Sequence, residues 1–174
     1  MANPTIANDG SVDAAKFHVY ITENTGTPNG WTDSKAVIDP LLTAAVHFKK
    51  VETGMTLSEE AGDSITSTTG VITKITKNFA STFNAYGLSP SDYQELVSGT
   101  NNLQDKDVDL AIVKAPADRA DGTVVIGDEI VVVERVPINM ILQIVDGQPI
   151  KLACSLEQIA ASGDYIIKWD TVVA

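Results

Sequence analysis

Few side chains in this 174-residue chain are equipped for chemistry. The histidines are His18 and His47. Each lies among strand-forming neighbours, with no cysteine or carboxylate at metal-ligand spacing, so both read as structural or surface residues. Cys154 is the single cysteine and rules out an internal disulfide. It alternates with Leu152 and Leu156 and reads as a buried, inert thiol. A Cys–His pair for nucleophilic catalysis has no glycine-flanked elbow to present it.

Carboxylates offer two further possibilities. Asp105, Asp107 and Asp109 have the opening spacing of a calcium loop. Its sixth position is Leu110, where glycine is needed, and its twelfth is Pro116, where glutamate is needed. Alternation instead puts Asp107 and Asp109 on the solvent face of a strand whose other face is Val108, Leu110 and Ile112. Glu59, Glu60 and Asp63 are a candidate paired-carboxylate site, and equally a solvated loop or an acidic patch awaiting a partner's Lys or Arg. No G-x-G-x-x-G or Walker lysine loop is present. The chain therefore reads as a non-enzyme that needs no cofactor or metal. Trp31 stands in a turn-rich loop, where such a ring either docks into a partner or folds back on its own domain.

The elements that must position these residues are mostly strands. Val, Ile and Thr number 18, 16 and 17, a β-branched content that favours sheet. From Val71 to Ala85 the odd positions read Val, Thr, Ile, Lys, Phe, Ser, Phe, Ala, and the even ones are mainly polar. That period of two predicts one strand of about fifteen residues, roughly 50 Å long. Further strands are expected at Lys16–Thr22, Ala45–Lys50, Val108–Lys114, Thr123–Ile126, Glu129–Val136, Ile138–Val145, Ile150–Glu157 and Tyr165–Val173. Asp146-Gly147 between two apolar runs marks a hairpin.

Residues 24–34 read as loop, Ala36–Asp39 as a short edge piece stopped by Pro40, and Ile159–Ser162 as one helical turn. Glu52–Asp63 reads as a long exposed loop or a ragged strand pair, with only Met55 and Leu57 as large apolar residues. One helix is predicted at Pro90–Ser98. It has Ser89 as N-cap, Pro90 at N1, Asp92 at N3, an apolar face of Tyr93, Leu96 and Val97, and Gly99 after its end.

The predicted fold is mainly β: an antiparallel β-barrel or sandwich with one short α-helix at about residues 90–98 and long loops. Residues 1–14 read as an extended N-terminal arm and 15–174 as a single domain. Net charge is −11, so the chain repels phosphate and does not grip nucleic acid. No basic-then-apolar leader and no apolar stretch near 18 residues occur, which predicts folding in a cytosol-like compartment without a membrane.

The order of elements resembles the phage tail tube (major tail) protein family. The resemblance lies in an early strand, a long loop within 50–68, a long strand ending in FNAYG (83–87), one helix of the type SPSDYQELVSG (89–99), and closing antiparallel strands. It covers about residues 16–173 and extends in fold to the type VI secretion tube protein. It implies a non-enzymatic subunit of stacked, hexameric rings whose inner strands join into one barrel around a channel. DNA would pass without specific binding. A tape-measure protein, tail terminator and baseplate proteins would be partners, and the location would be the virion tail after assembly in host cytoplasm. The long loop and the N-terminal arm would link rings.

On that expectation Met55, Leu57, Glu59, Glu60, Asp63 and Trp31 are candidate contacts between subunits. Lys74, Thr76, Asn78, Thr82 and Asn84, the polar face of the long strand, are candidates for the channel wall. Two alternatives share the composition. One is another virion β-module, such as a tail terminator, connector or capsid decoration protein. The other is a ligand-binding β-sandwich whose site is built by Trp31 and the 24–34 loop.

Overall fold

The computed structural model describes residues 3–6, 17–66, 68–70, 72–114, 119, 123–160 and 166–174, with backbone alone at 62–66, 72–76, 158–160 and 166. Among these residues the chain forms eight strands and two helices. In order they are β1 (Phe17–Glu23), α1 (Lys35–Ala44), β2 (Val46–Phe48), β3 (Thr56–Thr66), β4 (Ile72–Tyr86), α2 (Pro90–Val97), β5 (Asp107–Lys114), β6 (Glu129–Gln143), β7 (Lys151–Ala160) and β8 (Ile166–Thr171). All ladders between these strands are antiparallel, in the order β2-β1-β5-β6-β7-β4-β3, with β8 also on β6. The fold is mainly β, as the composition predicts.

The sheet curls without closing. Residues just after β2 cross to the far side, where Val51 bridges Ala85 and Glu52 N–H donates to the Asn84 carbonyl at 2.9 Å. Phe48 of β2 then meets Phe83 of β4 edge to face at 5.5 Å. The concave side holds the larger core: Val19, Ile21, Phe79, Leu110, Val133 and Leu156 are among its buried members. Helix α2 sends Leu96 into it. Ser89 accepts from Asp92 N–H at 3.1 Å and Asp92 accepts from Ser89 N–H at 2.8 Å, the predicted reciprocal cap. Gly99 is required for room: a Cβ there would lie 2.9 Å from the Glu95 backbone.

A second core lies on the opposite face of β1, β5 and β6. Tyr20, Ala111, Val113, Ile130 and Val132 pack there under Trp31 and the α1 residues Ile38 and Leu42. This layer explains four departures from the sequence expectation. First, a second helix, α1, replaces the edge piece expected at Ala36–Asp39, with Pro40 inside it. An interior proline costs about 3 kcal/mol, which burial of Ile38 and Leu42, at roughly 1.5–3 kcal/mol each, offsets. Second, β5 alternates as expected, but the face carrying Asp109 is covered, so Asp109 is 0 % exposed and not at the solvent face. Asp107 remains exposed.

Third, Glu129–Val136 and the expected strand from Ile138 form one strand through Pro137 that ends at Gln143, short of Ile144 and Val145. The pairing steps from Val108↔Val136 to Leu110↔Val133, so Glu134 and Arg135 together oppose Asp109. This β-bulge puts Arg135 at φ +65° and bends the strand. Fourth, Thr123–Ile126 is loop, with Val124 buried in the second core. Of the helical turn expected at Ile159–Ser162, Ile159 and Ala160 extend β7, and the rest falls outside the described residues.

The 52–63 stretch is chiefly strand. Thr56–Thr66 pairs with β4 from Thr56↔Thr82 to Thr66↔Ile72, with two register shifts. Its polarity hides the strand from a periodicity argument, and the ladder to β4 supplies it. Residues 3–6 of the expected arm lie against their own domain. Asn3 bonds Thr22 Oγ1 at 2.9 Å and the Ala44 carbonyl at 2.8 Å, and accepts from Glu23 N–H at 2.9 Å. The rest of 1–14 lies outside the described residues.

Candidate assembly surface

β4 divides its residues as the period of two requires. Phe79, Ser81, Phe83 and Ala85 are buried on the core side. Asn78, Thr82 and Asn84 face the other way. Asn78 is half-buried, Thr82 is exposed and shares a 2.8 Å hydroxyl contact with Thr56, and Asn84 donates to Glu52 at 3.0 Å. The backbone of Lys74 and Thr76 continues this strand, but their side chains lie outside the described residues.

β3 overhangs the core. Residues 56–61 are exposed on both faces, Leu57 and Glu60 included. Leu57 and Glu59 stand on the same side as Ser81 and Phe79, yet they reach beyond the packed interior. Glu59 pairs diagonally with Lys77 at 2.6 Å. Met55, just before the strand, is half-buried against the larger core. Asp63 belongs to β3 by its backbone, and its side chain lies outside the described residues. Among the described residues β3 pairs with β4 alone, so the N–H and C=O groups of its outer edge carry no ladder.

Trp31 is not at the surface. It is folded back on its own domain, 3 % exposed, with Nε1 donating to Asp109 Oδ2 at 2.9 Å. Asp109 collects three more donors: Asn24 Nδ2 at 2.6 Å, Asn29 Nδ2 at 2.5 Å and Arg135 N–H at 3.0 Å. One carboxylate thus ties the 24–31 loop to the bulge of β6. A ring sealed in this way has no face to stack on a sugar.

The residues that the sequence reading missed stand at the tip of the β6–β7 hairpin. Ile141, Leu142, Ile144, Val145 and Ile150 are all exposed, Ile144 by 70 %. With Leu88 and the α2 residues Pro90 and Tyr93, several of them line an apolar cavity of about 300 Å³. A signal was present: 141–145 is apolar on both strand faces up to the turn, and a hairpin tip cannot bury both. Lys151 at its wall pairs with Glu52 at 2.5 Å, and with Asn84 holds the Glu52 carboxyl below its usual range.

Groups with chemical potential are engaged elsewhere. His18 Nδ1 and His47 Nε2 are 3.2 Å apart, and His47 stacks on Tyr20 at 4.3 Å. His47 and Tyr20 border a cleft of about 450 Å³, where Lys35 and Asp39 pair with each other. Cys154 is buried, and burial pushes its thiol up, away from the reactive thiolate. Among the described residues no three His, Cys, Asp or Glu side chains gather as a metal site, and no helix is long and apolar enough to cross a membrane. No protein-family model and no curated protein matches this chain.

Proposed function

We propose that this protein is a structural subunit that assembles with copies of itself through open β edges. In its most specific form it is a phage tail tube subunit, closing into rings that stack around a channel for DNA. The observation that carries the reading is β3: an eleven-residue strand, exposed on both faces over 56–61, whose outer edge carries no ladder among the described residues. Monomeric proteins blunt such an edge, and one left long and open is a template for another chain. Net charge −11 supports a wall that repels passing DNA. The non-enzymatic role, the tape-measure, terminator and baseplate partners, and the virion location belong to the same proposal.

Negative-stain microscopy of concentrated protein tests it. Stacked rings or tubes with a central hole are expected, and a compact monomer at all concentrations overturns the reading. Ser58→Pro and Glu59→Pro sharpen the test. Successive N–H groups in a strand point to opposite edges, so one of the two leaves the β4 ladder intact. That variant is expected to stay folded and lose assembly. Tubes from both variants would mean that β3 is not the joining edge.

A further inference from the structure

The loop between β1 and α1 holds the chain's single Asn-Gly step, Asn29-Gly30. Its two residues sit in different surroundings. Gly30 is exposed at φ +78°, with open space where a Cβ would stand. Asn29 is half-buried. Its amide Nδ2 donates to Asp109 Oδ2 at 2.5 Å and, more weakly, to the Glu23 carbonyl at 3.4 Å. Asp109 is fully buried, and the other donor to Oδ2 is the Trp31 indole. A chemically labile amide therefore reaches from an open turn to the carboxylate that holds the 24–31 loop.

We propose that Asn29 is a self-modification site: it deamidates with Gly30 as the attacking partner, and the product unlocks the 24–31 loop irreversibly. Base in water takes the Gly30 N–H proton, and the freed nitrogen bonds to Cγ of Asn29. The Cγ–Nδ2 bond then breaks, and ammonia leaves with a proton from water. Glycine suits this step because no Cβ hinders the approach. Water adds to either carbonyl of the five-membered imide, which opens to aspartate or its β-linked isomer at position 29. Water is the only co-reactant. Both products replace a donor to Asp109 with a carboxylate. Two carboxylates at that separation, one of them fully buried, oppose each other's charge. Asp109 Oδ2 then keeps only Trp31. The loop no longer closes on Asp109, and Trp31 leaves the second core. The intact hub slows the reaction, because a bound amide is held from turning its Cγ to the Gly30 nitrogen. Local opening of the loop sets the pace. The inference is independent of assembly.

The chain has two tryptophans, so Trp169→Phe leaves Trp31 as the sole indole reporter. That protein is aged for weeks in mildly alkaline buffer and mapped by peptide mass spectrometry. A gain of about one dalton is expected at position 29. The modified fraction, separated by charge, is expected to show red-shifted Trp31 emission and several-fold stronger acrylamide quenching. Asn29→Ser keeps a hydroxyl donor and cannot form the imide, so in the same background it should age with Trp31 still buried. Asn29→Asp should show the opened loop without ageing. If that variant fails to fold, the modified fraction of the aged protein carries the same readout. A mass gain in the urea-unfolded protein but none in the folded protein means that the hub seals the site, and overturns the proposal. Modified protein whose Trp31 emission matches the unaged protein also overturns it, because the loop then does not depend on the Asn29 donor.

Discussion

The loop-bound end of β5 and the tip of the β6–β7 hairpin handle opposite kinds of group in opposite ways. At the first, a carboxylate is fully buried and each oxygen accepts two hydrogen bonds, from Asn24, Asn29, Trp31 and the Arg135 backbone. At the second, Ile141, Ile144, Val145 and Ile150 are left in water beside an apolar cavity. A buried charge is tolerated only where its bonds are complete. A cluster of exposed aliphatics gains only when something covers it. The first region is finished within one chain; the second, like the edge of β3, is left open to solvent.

Breaking the finished region should have the largest effect. Asp109→Ala leaves the buried Asn24 and Trp31 donors without an acceptor and frees the bulge. Chemical denaturation is expected to show a loss on the order of 4 kcal/mol. Asp109→Asn keeps the shape but replaces one acceptor with a donor, and should lose less. If Asp109→Ala melts like wild type, the hub does not hold the loop.

The unfinished region should respond in the reverse sense. Leu142→Ser with Ile144→Ser is expected to change unfolding free energy by no more than about 0.5 kcal/mol per site at these exposed positions, while association weakens strongly in sedimentation. A large stability loss without a change in association would assign the tip to the monomer's own packing.

Three smaller effects calibrate the comparison. Ser89→Ala removes one half of the α2 cap and should cost about 1 kcal/mol by thermal denaturation. Asp128, bonded at both oxygens by Arg119 at 2.5 and 2.6 Å, is held below its ordinary value of 3.8. Its folded pKa is depressed, so this pair's stabilisation is present above about pH 4 and is lost as pH falls through the folded value. Arg119→Ala should therefore unfold at higher pH in an acid titration. An unchanged acid midpoint would show that the pair contributes nothing. The smallest effect is expected at exposed Glu59: Glu59→Ala should cost less than about 0.5 kcal/mol despite its contact with Lys77.

Much of the scaffold is legible in residue order. The Val71–Ala85 alternation places β4 within one residue, and the Ser89–Asp92 spacing gives the α2 cap as observed. Both signals are local. The proposed joining surface is less legible. β3 is polar on both faces and becomes a strand only because β4 lies alongside. The apolar tip was visible as Ile141–Val145 but read as an ordinary hairpin arm, because sequence does not say which end of a strand the core reaches. Trp31 and Trp169 could not be told apart by type; one is sealed by Asp109 and the other projects from β8.

Sequence by itself determined the β class, the long two-faced strand, the capped helix and the acidic charge. Each depends on side-chain period, cap chemistry or simple summation, which act over a few residues or need no geometry. Tertiary structure decided what is inside. The layer of α1 and the 24–34 loop turned the outer face of β5 into a second core, buried Asp109, and carried Pro40 into a helix. It also decided where burial stops, because a curled sheet has a finite interior and the β3 edge and β6–β7 tip extend past it.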